Sequence, residues 1–483
     1  MSLIILAFVA SSMTLWLLES PLKPMLYFFE AALILIIYHS LYGNFKKIKF
    51  KTKRKVIAKI DPTIYVQATD TIFSRIMNYT NMVQSELPDM KILFVSPSPW
   101  PRTDYFAEYA YKKGNKVLVL SYFSPKSLSA RKIKHVGDVN VVRALMIEMF
   151  PAIILNITSF FLAFLAPLIF WRPNIIIFSA PPGDVVIGPY FLSKMFRKKI
   201  VFDVRDEWED YCISTAKSKV QNFVYRFVKK VSTLLYLNCD SIMTETPAHF
   251  KSLQRRGLKK ITLVPNGADV EVFYPLSAEE EELKKIKCGL NASDFVIVYS
   301  GGIGGYYRLD VIVKALKVFK ESNDVSDVKF VFIGRGEVKE VLRLANKLGL
   351  SREVMYFGVK HAPIDVAEVL ACADVGVVPY DGHPLWKNTY PTKFFEYCAC
   401  GIPVIATAYD DSLLAKLIEK HEIGFVAPPM DVKAVAEAIE KAYFNKQDRE
   451  TAGERARRLV EKQFDRAKTA EKFLELLHNL CEA

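Results

Sequence analysis

Lys393 and Glu396 stand three positions apart in the run PTKFFEYCACGIPVIAT (391–407). The run reads as a short helix that ends at Gly401 and passes into a buried strand. At i and i+3 the two side chains share one helix face. A cation beside an acid at a helix start suits a phosphate together with sugar hydroxyls. A surface ion pair, worth little energetically, is the plain alternative. A second constellation is glycine-rich. SGGIGG (300–305) carries Gly301 and Gly302 between a strand and a helix, and GRGE (334–337) sets Gly334 and Arg335 after the next strand. Glycines there let the backbone approach a diphosphate, and a helix N-terminus favours its charge. A tight strand–helix turn accounts for the same glycines without a ligand. Neither loop fits the dinucleotide fingerprint with its later acidic residue, nor the phosphate-binding loop with its lysine.

Metal chemistry has little to build on. No D-x-D follows a strand, and His39, His135, His249, His361, His383, His421 and His478 show no ligand spacing. We expect no metal and no cofactor, with the diphosphate charge met by side chains and helix dipoles. His383 lies in the loop DGHPLWKNTY and is read as an ordinary loop histidine, with contact to a sugar as the alternative. The cysteines are Cys212, Cys239, Cys288, Cys372, Cys398, Cys400 and Cys481. Their odd number and the lack of any C-x-x-C argue against a disulfide framework and for reduced thiols.

These residues need a frame, and the chain supplies an α/β one. From residue 90, short β-branched runs alternate with helical stretches: MKILFVSPSPW (90–100), NKVLVLSYF (115–123), NIIIFSAPPGD (174–184), KKIVFDVRDEW (198–208) and CDSIMTET (239–246). Continuous apolar runs indicate strands buried on both faces of a parallel sheet. Residues 219–237 show helical spacing. A second series starts at DFVIVYSGGIGG (294–305) and continues through VKFVFIGRGE (328–337), VMYFG (354–358), ADVGVVPY (373–380), GIPVIAT (401–407) and GFVAPP (424–429). Two consecutive strand–helix series predict two Rossmann-like domains facing a cleft, with ligands outside the carboxyl ends of the strands. The expected division is 1–45 membrane helices, 46–88 basic linker, 89–275 N-terminal domain, 276–446 C-terminal domain, and 447–483 closing helices packed across both.

The chain has 483 residues, 51% hydrophobic and 24% charged, with a net charge of +13. That length exceeds one ordinary domain. The charge is uneven: residues 1–60 hold nine Lys/Arg and two acids, next to apolar runs at 2–18 and 25–42. The run KKIKFKTKRK (46–55) follows them. A nucleic-acid binder would spread its basic patch over a folded face, so no nucleic-acid partner is expected. This clustering suits an anionic membrane surface. No basic residue precedes the first apolar run, which argues against a signal peptide. The two runs read as a helical hairpin with its basic flank cytoplasmic; one spanning helix plus an interfacial one is the alternative, because Glu30 is costly within a bilayer. A further uncharged stretch, 152–171, sits where an α/β domain needs a crossover helix. It reads as a helix of the N-terminal domain, either core-buried or dipping into the membrane surface.

VPNGAD (264–269), the glycine loop, GRG, FG before ADV, and P-x-K-x-x-E-Y-x-A-x-G-x-P-V-I occur in an order that resembles the retaining GT-B glycosyltransferases (group 1, family 4-like). The resemblance covers roughly residues 90–480. DVRDEW (203–208) is similar to an element of members that act on lipid-linked sugars of the cell envelope. The resemblance implies a nucleotide-sugar donor. Glu396 would hold the donor ribose and Lys393 would neutralise the leaving diphosphate. Gly301 and Gly302 would border that diphosphate. Phe357, Gly358 and Val359 would hold the base. Asp206 would position or deprotonate the acceptor hydroxyl. Three features depart from the family pattern. Asn388 stands where many members have the first glutamate of Glu-x7-Glu. Gly302 and Tyr307 replace the usual Arg and Lys, with Arg308 as the neighbouring substitute. The loop SPSPWPRTD (96–104) lacks the frequent glycine pair.

The expected function is transfer of a hexose or N-acetylhexosamine, with retention, to a lipid-linked acceptor at the cytoplasmic membrane face. The alternatives are a tethered transferase with a protein or small-molecule acceptor, a nucleotide-sugar epimerase, and a non-catalytic scaffold. A nicotinamide oxidoreductase is disfavoured by the missing fingerprint.

Overall fold

A computed structural model of the chain describes residues 90–96, 101–123, 135–136, 139–145, 153–180, 184–360 and 362–482. The expected membrane helices of 1–45, the basic linker and residues 97–100 of the N-terminal loop lie outside the described residues. Among the described residues no helix is long and apolar enough to cross a membrane.

The chain divides into two compact units. The first holds the described residues up to Met243, Leu258–Lys260 and those from Leu476 on. It begins β1 (Lys91–Val95), α1 (Pro101–Lys112), β2 (Lys116–Phe123), β3 (His135–Val136), β4 (Val139–Leu145) and α2 (Ile153–Ala166). It continues β5 (Ile175–Ala180), α3 (Asp184–Met195), β6 (Lys199–Val204), α4 (Trp208–Ser214), α5 (Lys219–Leu237) and β7 (Ser241–Thr244). The sheet order is β3-β4-β2-β1-β5-β6-β7-β8, the last being Ile261–Leu263. Strands β4, β2, β1, β5 and β6 pair in parallel, and the two-residue β3 runs antiparallel to β4. Ile92, Leu93, Ile175, Ile176, Ile200 and Val201 are all fully or nearly fully buried, as strands covered on both faces require.

The apolar stretch 152–171 is the crossover from β4 to β5. Its helix stops at Ala166, and a π turn, Pro167–Trp171, closes on Arg172 in the left-handed region. Pro167 has no N–H to continue the ladder. Phe160 and Phe164 are buried, while Leu162 and Phe170 are exposed. The stretch therefore belongs to the domain core on one side. The N-terminal loop also ends earlier than expected, because residues 101–104 form the first turn of α1.

The second unit, Thr244–Gly257 and Ile261–Glu475, holds α6 (Pro247–Arg255) and α7 (Ala278–Lys287). Its sheet strands are β9 (Phe295–Ile303), β10 (Val328–Gly336), β11 (Val354–Tyr356), β12 (Val375–Pro379), β13 (Val404–Thr407) and β14 (Gly424–Ala427). Their helices are α8 (Leu309–Asn323), α9 (Val338–Lys347), α10 (Pro363–Leu370), α11 (Thr392–Ala399), α12 (Leu413–His421), α13 (Val432–Phe444), α14 (Lys446–Leu459) and α15 (Arg466–Glu482). The order β11-β10-β9-β12-β13-β14 is all parallel and reverses direction between β9 and β12. That reversal is the switch point where doubly wound sheets bind ligands.

The division differs from the expected break at 275. Residues 244–257 and 261–275 go with the second unit because it holds their polar groups. Thr246 donates to the Asn388 carbonyl at 2.9 Å. Arg457 donates to the carbonyls of Val270, Phe273 and Ala399. The motif VPNGAD is pinned the same way: Ala268 bridges Asp465, and Arg466 Nε donates to the Gly267 carbonyl at 2.9 Å. No periodicity in the sequence announces these long-range bonds.

Candidate functional site

The glycine-rich segments are not loops for most of their length. Strand β9 runs on through Ser300, Gly301 and Gly302 to Ile303, and β10 runs on through Gly334 and Arg335 to Gly336. Gly334 pairs with Gly301, and Arg335 with Gly302. Helix α8 therefore starts only at Leu309, with Arg308 as its N-cap. The expectation that SGGIGG opens directly into a helix is corrected. The reason is the pairing itself, since a side chain at Gly334 would have its Cβ 1.7 Å from the Gly301 carbonyl oxygen. Gly334 also has φ +135°, a conformation open to glycine and few others. Gly301 and Gly302 are exposed at the carboxyl end of the sheet.

Across the switch point stands α11. It is apolar nearly all round: Phe394, Phe395, Tyr397, Cys398 and Ala399 are buried. Such a helix must lie inside a domain. Tyr397 fixes its height, since its hydroxyl accepts the Ser300 amide at 2.9 Å. Gly376 in β12 leaves the room for that ring; a Cβ there would be 2.4 Å from Tyr397 Cδ2. The first turn of α11 then presents Lys393 to the end of β9. A Cβ built on Gly301 would lie 3.0 Å from Lys393 Cε and 3.1 Å from Nζ.

Lys393 is 7% exposed. Its ammonium lies 3.7 Å from the Tyr307 ring centroid and 5.1 Å from that of Tyr299. Among the described residues no carboxylate comes within ion-pair distance of it. Burial brings its pKa down to about 7, and the Glu396 charge works the other way. Glu396 is not its ion-pair partner. The Glu396 carboxylate faces Arg466 Nη2 at 3.6 Å instead, and burial pushes its pKa up, against the pull of Arg466 and then Lys393. The surface-ion-pair reading of 393 and 396 thus does not apply; both side chains are largely enclosed.

Aromatic rings build the wall beside this cation. Tyr307 stacks on Tyr380 at 5.2 Å, and Tyr380 on Trp386 at 5.2 Å. The Tyr307 hydroxyl is held far above its ordinary pKa by burial, so the ring stays neutral. Tyr299, Tyr307, Tyr397 and Arg466 were not among the residues singled out from the sequence. Tyr307 was seen only as a departure, where a lysine was expected. Arg466 lies 70 positions from Glu396 in the chain, and no sequence periodicity links the two.

Other expected residues fall as follows. Arg308 makes two bonds to Asp310, Nε at 2.8 Å and Nη2 at 3.0 Å, and this hydrogen-bonded pairing raises its pKa. It stands at the N-cap position of α8 without a side-chain cap bond, and its charge is already shared with Asp310. Arg335 is exposed at the end of β10. Phe357 donates its amide to Phe332, and Gly358, φ +81°, accepts the Gly334 amide at 3.1 Å. Val359 follows, 37% exposed. The structure therefore brings the 357–359 turn beside Gly334 at the same sheet end. Asn388 closes a single 3-10 turn, Pro384–Asn388, and is exposed. His383 caps that turn, its Nδ1 accepting the Leu385 amide at 3.1 Å, as an ordinary loop histidine would.

In the first unit, DVRDEW separates two acids. Asp203, next to last in β6, forms a buried ion pair with Arg102 of α1, at 3.2 Å. Asp206 follows in the turn before α4. Its Oδ1 is buried with no hydrogen-bond partner among the described residues. Burial raises its pKa, opposed by the Arg205 charge and the Trp208 amide. Among the described residues no cluster of three or more His, Cys, Asp or Glu could hold a metal.

Residues 280–459 match the family described as Glycosyl transferases group 1. The chain is 28% identical over 243 residues to the putative glycosyltransferase EpsD of Bacillus subtilis (strain 168), covering 50% of this chain and 60% of that protein. It is 26% identical over 182 residues to the UDP-Gal:alpha-D-GlcNAc-diphosphoundecaprenol alpha-1,3-galactosyltransferase of Escherichia coli, covering 37% of this chain and 44% of that one. The chain thus spans about half the length of the curated relatives it matches. Anabaena HepE, solved in complex with UDP-glucose, superposes with a TM-score of 0.63 at 17% identity, over 81% of this chain and 100% of that one. At that identity the likeness carries the fold. The two sheets, each with a switch point, thus share the fold of these neighbours, and residues 280–459 are similar to the group 1 glycosyltransferases.

Proposed function

We propose that the chain is a nucleotide-sugar-dependent, retaining glycosyltransferase that moves a hexosyl or N-acetylhexosaminyl group to a lipid-linked acceptor at the cytoplasmic face of a membrane. One observation carries the donor part. Lys393 is a buried cation with no carboxylate in ion-pair range among the described residues, aimed at the exposed glycine end of β9. A buried charge wants a counter-charge. The donor diphosphate supplies one, and does so increasingly as the glycosyl bond breaks and negative charge gathers on it. Glu396, kept ionisable by Arg466, accepts hydrogen bonds from the donor ribose. The turn 357–359 lies beside the base. No metal enters this scheme; Lys393 and the first turn of α11 meet the charge. Asp206 positions the acceptor hydroxyl or takes its proton.

The acceptor and membrane parts rest on other support. The apolar runs 2–18 and 25–42 and the basic run 46–55 suit a lipid surface. Helix α5 carries Lys219, Arg226 and Lys230 and no acid, while its Lys229 is paired with Asp210. It exposes Val220, Phe223, Phe227, Leu234 and Leu237, with Phe223 70% open. A basic helix with an exposed apolar strip is built to lie on an anionic surface. The E. coli relative's name states a diphosphoundecaprenol-linked acceptor, which supports the same class here.

The test is a thermal-shift panel of nucleotide sugars on the full chain, followed by transfer to a polyprenyl-diphosphate saccharide in vesicles. A donor that raises the melting temperature and is consumed only when the acceptor is present supports the reading. No shift with any nucleotide sugar, or full transfer in Lys393→Ala, would overturn it.

A further inference from the structure

We propose that Cys288 and Cys372 form a redox-responsive dithiol site, which a low-molecular-weight disulfide converts to an intramolecular disulfide stapling α7 to the turn before β12. The pairing is long-range: the residues lie 84 positions apart, yet their sulfurs are 3.3 Å from one another, the Cys372 thiol donating to Cys288. Each sulfur sits on a backbone held by other bonds. Cys288 is the C-cap of α7, its amide bonded to the carbonyls of Lys284 and Lys285. Cys372 follows α10, its amide bonded to the Val369 carbonyl. The two segments are already joined beside the sulfurs. Lys285 of α7 contacts Asp374 at 2.9 Å, and Asp374 also accepts the Val296 amide at 2.9 Å and Arg449 Nη2 at 3.1 Å. A disulfide needs its sulfurs at about 2.05 Å, so closure has only to shorten the 3.3 Å separation between two segments of the same unit.

The two thiols differ in a way that orders the chemistry. Cys288 is half-buried and reachable, whereas Cys372 is 1% exposed. The hydrogen bond from Cys372 lowers the Cys288 pKa, opposed by burial and helped by the Lys284 charge; the same bond raises that of Cys372. The remaining five thiols are all pushed up by burial, Cys239 to about 12. Thiolate, not thiol, attacks a disulfide. Cys288 thiolate therefore attacks one sulfur of the oxidant and releases the first thiolate. The Cys372 sulfur then gives up its proton, attacks Cys288 of the mixed disulfide, and releases the second. Two protein thiols are oxidised by two electrons and one small disulfide is reduced to two thiols. The site lies before β12, at the sheet end opposite Lys393, so the staple acts on stability and leaves the donor residues in place.

The test equilibrates the full chain with oxidised glutathione, alkylates it and maps the peptides. The expected result is a Cys288–Cys372 cross-linked peptide, loss of two hydrogens, and reversal by dithiothreitol. The melting temperature of the oxidised form should rise by on the order of 10 °C, since the bond closes a long loop. Cys372→Ser should stop at a glutathionyl adduct on Cys288, and Cys288→Ser should leave Cys372 unreacted. Full alkylation of both residues after equilibration, or a disulfide mapped elsewhere, would overturn the proposal. The wild-type map decides it even where a variant fails to fold.

Discussion

The Lys393 ammonium lies 3.7 Å from the centre of the Tyr307 ring, a cation held by a π face where the related motif would place another lysine. A second lysine at 307 would repel the first. A ring instead steadies it, by about 1–2 kcal/mol in a desolvated setting. This substitution explains how one buried amine can stay charged enough to meet a diphosphate while its pKa is brought down to about 7.

Donor affinity should therefore depend on pH in one direction. Below pH 7 the free protein carries Lys393 protonated, and binding of the nucleoside diphosphate is strongest. As pH rises through 7 the amine deprotonates, and affinity falls by up to tenfold per pH unit. Calorimetry across pH 5.5–9 in matched buffers reads this, with proton uptake on binding above pH 7. Tyr307→Leu should move the fall to lower pH, and Tyr307→Phe should not. Stability runs the other way. The lowered pKa means that the folded chain disfavours the charge, so its cost is full below pH 7 and gone above about 10.5. Lys393→Met should melt higher than the wild type at pH 6, with the gap closing as pH rises. A flat affinity profile would remove Lys393 from the diphosphate.

Gly334→Ala tests whether the paired glycine strands are a binding surface. Its Cβ would collide with the Gly301 carbonyl oxygen at 1.7 Å, on a backbone at φ +135°. The two strands must part at their carboxyl ends. We expect a stability loss of about 2–3 kcal/mol in urea unfolding, together with a donor affinity reduced at least tenfold. Gly302→Ala, where a Cβ meets nothing within 4 Å, is the control and should be close to neutral in stability. Equal donor affinity in all three proteins would show that these strand ends do not border the ligand.

The strands were legible because each is a continuous apolar run, and the order of motifs carried the family resemblance. KVQNFVYRFVKKVSTLLYL reads as a helix and is one, Lys219–Leu237. Lys393 and Glu396 could be named from their helix and their place before a buried strand. Their partners could not. Arg466 reaches Glu396, and Tyr307 reaches Lys393, through folds of the chain that leave no periodic trace. The glycine segments were misjudged for a related reason. Glycine is depleted in strands, so SGGI read as a loop; only the opposite glycine, Gly334, makes the close strand pairing possible. Arg308 stands beside the positions where the resemblance places an Arg and a Lys, but the neighbour that occupies its charge, Asp310, is only two residues on.

Arg466 should matter more to stability than a surface arginine. It is 7% exposed, donates to the Gly267 carbonyl, and faces Glu396. Arg466→Ala removes the charge that counters the burial of Glu396, and about 3 kcal/mol should be lost at pH 8. The sign with pH follows from Glu396. Its folded pKa is already raised above 4.5 by burial, and losing Arg466 raises it further. The folded protein then prefers protonated Glu396, so the deficit shrinks toward pH 5 and grows as pH rises. Denaturant midpoints of Arg466→Ala at pH 5 and pH 8 check this. Adding Glu396→Gln should restore part of the loss at pH 8. A deficit independent of pH would assign the effect of Arg466 to Gly267 alone.

The two acids of DVRDEW should part company when each is neutralised. Asp203 is one half of a buried ion pair with Arg102. Asp203→Asn removes the negative charge of that buried pair while Arg102 keeps its own, so about 3 kcal/mol of stability should go. Asp206 has a buried oxygen with no partner among the described residues, and burial raises its pKa. A raised folded pKa means that Asp206 favours the fold when protonated and that this contribution falls as pH climbs past its ordinary value of 3.8. Asp206→Asn keeps the shape and discards the charge, so its melting temperature at pH 7 should equal or exceed that of the wild type. If Asp206 handles the acceptor hydroxyl, transfer in the same variant should drop at least a hundredfold while donor binding is unchanged. Thermal melts, donor calorimetry and a transfer assay on both variants separate the structural acid from the chemical one. Retained transfer in Asp206→Asn would leave its carboxylate, with the buried Oδ1, without a role in the reaction.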